Sequence, residues 1–287
     1  MLFLTHAHPR VLQTIAALAS ENIKAHDLSF QRIVQSKEQS HNCLEQARNI
    51  SQFDHVVFVS PNAIDAFFHA HHAAGALQSP ISFAAGQIIV VGPGSQAVLD
   101  LWLNQGRLQP IAGRSSEQVR TFDADGVLEQ LRTLHGLNTV QTRGISPKIL
   151  IVKGTAGRLD WIEQARHGGL MVQELQAYTA LDCSPSGDST SALVDCMLHN
   201  CLPCLVMTST ANVSRLVSWA QAQSELNGNV NANAKVIPNL LPWLQQQTIL
   251  AIHPRIAAQL TALSFTCVKE ILPGFEALRA AALKYGN

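Results

Sequence analysis

Charge is the scarcest ingredient of this chain. Only 14% of its 287 residues are Asp, Glu, Lys or Arg, and 20 basic residues balance 20 acidic ones. Without a basic excess there is no surface for tracking phosphates, so a nucleic-acid partner is not expected. Aromatics are sparse as well, with just two tyrosines. No apolar run approaches the roughly 20 residues that a bilayer requires, so no membrane partner is expected. The opening MLFLTHAHPR has no basic n-region, and Thr5, His6 and Pro9 interrupt its apolar stretch. It does not read as an export signal. Six cysteines without such a signal predict reduced thiols in a cytoplasmic protein. Gly, Pro and Ser do not dominate, and 47% of residues are hydrophobic, which excludes disorder for the bulk of the chain. At roughly 100–200 residues per domain, the length fits one large domain or two ordinary ones.

What the chain does have is a recurring pattern: a short apolar run, a small or polar turn, then an amphipathic stretch. It occurs six times, with runs at Leu2–Leu4, 56–60, 87–91, 148–152, 204–208 and 248–252. Continuous runs rich in Val and Ile fit strands buried on both faces, and helical spacing follows each one. The fold class is therefore α/β with parallel sheets flanked by helices. The six units also fall into two sets of three. The second and fifth share a Ser or Thr turn, VSPNAI against TSTANV, and the third and sixth share a Pro turn, GPGSQAVL against HPRIAAQL. This weak repeat predicts two similar α/β domains. A simple cut falls near 144–147. Alternatively, the extended segments 27–35 and 172–182 pair as a two-stranded connector, and the N-terminal unit completes the sheet of the second half. Residues 221–237, QAQSELNGNVNANAKVI, read as a polar surface loop.

In open parallel sheets, ligands bind where strands hand over to helix N-termini, whose free N–H groups favour anions. Four turns qualify: Ser60-Pro61-Asn62, Gly92 to Ser95, Gly154 to Arg158, and Thr208 to Asn212. Each also has an ordinary explanation, because these residues cap helices and make turns. Gly92 to Ala97 formally matches G-x-G-x-x-A, but Leu108 to Gly113 offers no acid to complete a dinucleotide site. Lys153 to Arg158 lacks the spacing of a P-loop. Cys196, His199, Cys201 and Cys204 suggest zinc by proximity, yet Cys204 opens a core strand, and no metal is expected. The Cys201–Cys204 pair precedes a strand, so it has no helix N-terminus to activate it. His69, His71 and His72 read as a solvated helix tail. Tyr178, in the extended segment, is either a packing aromatic or, facing a cleft, a proton donor.

The order of these pieces resembles the uroporphyrinogen-III synthase family. The matching stretches are VVFVSPNAIDAFF, VVGPGSQAVLDLWLNQG followed by TFDADGVLEQL, ILIVKGTAGRLDWIEQARHGGLMVQELQAY, and VMTSTANVSRL. The third is the most specific: a strand, a Gly-Arg turn, a helix, a Gly and an extended stretch ending in Tyr. The resemblance implies two α/β domains, 1–35 with 183–287 and 38–172. A two-stranded connector (27–37 and 172–182) would join them, with an active-site cleft between. It implies an enzyme that cyclises hydroxymethylbilane to uroporphyrinogen III with inversion of the terminal pyrrole ring, and a hinge between two domains fits a monomer. No cofactor is implied. Tyr178 becomes the candidate proton donor. Ser60, Asn62, Gly94, Ser95, Gly154, Arg158, Ser209 and Thr210 become the candidate substrate-binding residues.

Two turns depart from the family pattern. The first strand usually ends in Thr-Arg-Pro, and here reads Thr5-His6-Ala7. The last turn usually reads Gly-Pro with a Thr two residues after the Pro. Here it is His253-Pro254-Arg255-Ile256. Both lie in the same expected domain. They motivate an alternative expectation, a non-catalytic two-domain protein that binds an anionic tetrapyrrole-like ligand.

Overall fold

The computed structural model describes residues 1–74, 80–84, 87–110, 119–121, 124–135, 146–156, 160–226 and 240–286. The chain divides into two compact units, Met1–Ile33 with Leu181–Asn287, and Val34–Ala180. It begins with β1 (Leu2–Leu4), α1 (Arg10–Ser20) and β2 (Ala25–Asp27), and β3 (Gln31–Val34) leads into the second unit. There follow α2 (Lys37–Arg48), β4 (His55–Phe58), α3 (Pro61–Ala73), β5 (Ile81–Phe83), β6 (Ile88–Val91) and α4 (Gly92–Asn104). Next come β7 (Leu108–Pro110), β8 (Val119–Thr121), α5 (Ala124–His135), β9 (Lys148–Gly154), α6 (Asp160–His167) and β10 (Met171–Asp182). The return to the first unit brings α7 (Gly187–Leu198), β11 (Cys204–Met207), α8 (Thr210–Leu226) and α9 (Leu240–Leu244). The chain closes with β12 (Thr248–Ala251), α10 (Pro254–Ala262), β13 (Cys267–Glu270) and α11 (Phe275–Tyr285).

All six expected strand-then-helix units are present, and the class is α/β with parallel sheets. The first unit holds a five-stranded sheet in the order β13-β12-β11-β1-β2, and every pairing in it is parallel. The N-terminal strand β1 is thus internal to the sheet, with Leu2 opposite Cys204 on one side and Ala25 on the other. Strand alternation divides its core cleanly. Phe3, Leu205, Met207 and Ile249 point to one face and pack with α7, α8 and α10. Leu2, Leu4, Cys204, Val206 and Leu250 point to the other and pack with α1 and α11.

The second unit carries the strands β10-β9-β4-β6-β8, in that order, of the other sheet, and β5 pairs with β7 in a separate small sheet. Here Val56, Phe58, Ile88, Val90, Leu150 and Val152 pack with α2, α3 and α4. Val57, Ile89, Ile149 and Ile151 pack with α5 and α6. The polar stretch from 221 is not all loop: α8 continues through Leu226, and 227–239 lie outside the described residues. Gln and Ala are good helix formers, so the helix outlasts its apolar stripe. No helix of the described residues is long and apolar enough to cross a membrane.

Candidate active site

Tyr178 owes its direction to an irregularity in β10. The parallel ladder with β9 runs evenly from Met171 opposite Lys148 to Gln176 opposite Lys153. It then shifts, so that Tyr178 rather than Ala177 faces Gly154. Regular alternation would put Tyr178 on the face of Glu174 and Gln176. The extra residue turns it to the face of Leu175 and Ala177, where its ring packs on the core under α3 and α4.

That is also the face from which α3 begins. Ser60 caps α3 by accepting the Ala63 N–H at 3.1 Å, and Pro61 takes the first helical position, where no N–H is needed. The same Ser60 Oγ lies 3.1 Å from the Tyr178 hydroxyl. Gly154 completes the arrangement. A Cβ there would sit 2.8 Å from Cε2 and Cζ of Tyr178 and 3.1 Å from its Oη. Glycine at 154 is therefore what lets the ring lie against the end of β9, and the Thr155 N–H donates to the Tyr178 carbonyl at 3.0 Å.

The structure thus brings Ser60, Gly154 and Tyr178 together. Gly94 joins the same neighbourhood, since a Cβ there would touch Pro61 Cγ at 3.7 Å. Ser95, one residue on, is buried, and its hydroxyl has no hydrogen-bond partner among the described residues. Asn62 is half-buried in the first turn of α3. Arg158 lies outside the described residues. On the opposite face of the strands, Glu174 bridges Lys153 at 2.9 Å and Arg166 at 2.7 Å. Burial pushes the Glu174 carboxyl up, but hydrogen bonds from the two cations outweigh this and hold it below its usual value.

Ser209 and Thr210 belong to the other unit. Ser209 Oγ accepts the Asn212 N–H at 3.1 Å at the start of α8. Sequence reasoning missed what holds this turn. Asn212 is buried and donates to the Thr5 carbonyl at 2.7 Å and to Thr208 Oγ1 at 3.3 Å. Thr5 in turn donates to the Val206 carbonyl at 2.7 Å. The available signal is the polar S-T-A-N turn directly after a core strand, whose hydroxyls draw attention away from its amide. No group of three or more His, Cys, Asp or Glu among the described residues is placed to hold a metal.

The family model described as uroporphyrinogen-III synthase HemD matches residues 13–271. The chain belongs to the uroporphyrinogen-III synthase family. It is thereby a member of an enzyme family of haem biosynthesis. Among solved structures, a mutant uroporphyrinogen III synthase of the thermophilic bacterium Thermus thermophilus is 14% identical and superposes with a TM-score of 0.50, over 99% of this chain and 98% of that one. The uroporphyrinogen-III synthetase of Helicobacter pylori is 11% identical with a TM-score of 0.49, over 99% and 98% of the two chains. No curated protein matches the chain at a significant level.

The structure gives the residues of the two departures distinct surroundings. Ile256 is 3% exposed and packs in the core beside α8 and β12, so this position serves packing here. His253 caps α10, its Nδ1 accepting the Arg255 N–H at 3.1 Å. His6 stands at the Arg position of the Thr-Arg-Pro pattern. Burial, reinforced by the nearby Arg10, pushes its imidazole down to about 4, and its Nδ1 has no hydrogen-bond partner among the described residues. His6 is therefore neutral at neutral pH.

Proposed function

We propose that the chain is a working uroporphyrinogen-III synthase, a lyase that removes the hydroxyl of hydroxymethylbilane and closes the macrocycle with ring D inverted. The observation that carries this reading is the Ser60–Tyr178 pair, held against Gly154 in a member of this family. Hydroxide is a poor leaving group until it is protonated. The Tyr178 phenol supplies the proton, the C–O bond breaks, and the hydroxyl departs as water. Ser60 accepts the Ala63 N–H, so its own hydrogen can go to the phenol oxygen and stabilise the phenolate left behind. Free in solution this cation closes without inversion, whereas on the protein the proton released at ring closure returns to the Tyr178 phenolate. The enzyme's contribution is then to hold one conformation in which the spiro intermediate forms. The steps transfer no electrons and need no carried group, so no cofactor is invoked.

The substrate's carboxylates are proposed to meet helix N-termini rather than a cluster of lysines, in keeping with the balanced charge. Ser60, Asn62, Gly94, Ser95 and Arg158 are assigned to this task in the unit that carries Tyr178, and Ser209 with Thr210 in the other. Gly154 is assigned to ring clearance as well. The buried Ser95 hydroxyl, without a partner among the described residues, suits a polar ligand group. The setting is proposed to be cytoplasmic, where the six free cysteines stay reduced.

The test is to supply hydroxymethylbilane generated in situ and to separate the uroporphyrin isomers after oxidation. Predominantly isomer III is expected. Tyr178→Phe keeps the ring and removes only the hydroxyl, the proton source, so turnover should fall by about 10²-fold with KM little changed. Isomer I alone from folded protein would refute catalysis and leave the ligand-binding alternative.

A further inference from the structure

The register shift that aims Tyr178 leaves Ala177 as the extra residue of β10, outside the one-to-one ladder with β9. A bulge of this kind needs something to hold its backbone groups, because the ladder no longer does. Gln35, immediately after β3, provides it. Its Nε2 donates to the Ala177 carbonyl at 2.9 Å and to the Ala66 carbonyl at 3.0 Å. The same Nε2 also lies 3.5 Å from Cys43 Sγ, and since the two carbonyl oxygens can only accept, the orientation of the amide is settled by its surroundings. Ala66 lies in α3, the helix that Ser60 caps, and Ala177 adjoins Tyr178. One side-chain amide therefore ties together α3, which Ser60 caps, and β10, which carries Tyr178. A second link runs alongside, where Gln39 Nε2 donates to Thr179 Oγ1 at 3.1 Å. Upstream, the Lys153–Glu174–Arg166 bridge holds β10 in its regular register, so the slack is confined to Ala177.

We infer that Gln35 is a positioning residue of the synthase reaction: it holds the Ala177 bulge against α3 and so keeps Tyr178 on the Ser60 face. Without its donors, the bulge loses its anchor. Moving the extra residue past Tyr178 would return the ring to the Glu174 face, away from Ser60. The inference rests on the reading of Tyr178 as proton donor, and its effect on rate follows from that reading alone.

The test uses the full chain labelled at the tyrosine Cζ with ¹³C. With only Tyr178 and Tyr285 present, two resonances result, and Tyr178→Phe assigns them. Gln35→Met, similar in length but without donors, should move or broaden the Tyr178 resonance and leave that of Tyr285 in place. It should lower kcat by about tenfold or more, with KM unchanged and a larger share of isomer I in the product. Gln35→Glu, with an acceptor facing two carbonyls, should behave the same way, and serves if Gln35→Met does not fold. A wild-type Tyr178 resonance in a folded Gln35 variant would overturn the inference. If the resonance moves while both Gln35→Met and Tyr178→Phe keep full turnover, positioning stands and the proton-donor reading fails.

Discussion

Gly154→Ala should damage the site through a single methyl group. The added Cβ would lie 2.8 Å from two ring carbons of Tyr178. Carbon atoms settle no closer than about 3.5 Å, so the ring has to withdraw by about 0.7 Å. Neither neighbour yields easily, since Gly154 is buried in β9 and the Tyr178 carbonyl is fixed by the Thr155 N–H at 3.0 Å. Withdrawal by that amount along the hydrogen bond would open the 3.1 Å Ser60–Tyr178 separation beyond bonding range. Displacements near 1 Å at a reacting group cost about 10²-fold in rate, so kcat should fall by roughly 10- to 100-fold. The overpacking should also lower stability by about 1–3 kcal/mol. Turnover and isomer ratio with hydroxymethylbilane give the first quantity, and urea unfolding gives the second. Wild-type turnover, isomer III content and urea midpoint in Gly154→Ala would refute both the close approach and the importance of the tyrosine's placement.

His6 should make the protein acid-sensitive. Its folded pKa of about 4 lies below the ordinary 6.5, so between these values the unfolded chain binds more protons than the folded one. The contribution is whole above pH 6.5 and is lost as pH falls toward 4, by at most about 3 kcal/mol. His6→Gln should flatten stability against pH in that window, and an unchanged slope would show that another group sets it. Asn212→Ala removes the donor to the Thr5 carbonyl inside the first unit and should cost about 1–3 kcal/mol. A urea midpoint equal to wild type would show that the turn holds without it.

The framework of the fold was legible because parallel strands buried on both faces have to be continuous apolar runs. Phe58, Val90, Val152 and Met207 announce themselves in that way. The helix α2 was not, because its only buried residues are Cys43 and Ala47. Its signal was instead the capping box formed by Ser36 and Gln39. Strands of three or four residues such as β5 and β13 are too short to show a period. At the site, Tyr178 and Ser60 could be picked out by residue type and by resemblance, whereas their hydrogen bond could not. It depends on a one-residue register shift, and an alternating pattern gives no mark of where a ladder slips. Gln35 was invisible for a related reason: its acceptors are backbone carbonyls 31 and 142 residues away, and any side chains at those positions would present them.

The nesting of one unit within the other sets an order of events during synthesis. Residues 34–180 are contiguous and emerge from the ribosome with every strand of β4 to β9 already made, so that unit can collapse while translation continues. The unit that starts first finishes last. β1 needs β11, about two hundred residues downstream, before its exposed edge is covered. Until then the β1–α1–β2 segment waits with the β11 side of its sheet uncovered, which makes it the natural client of a chaperone that meets this protein during synthesis.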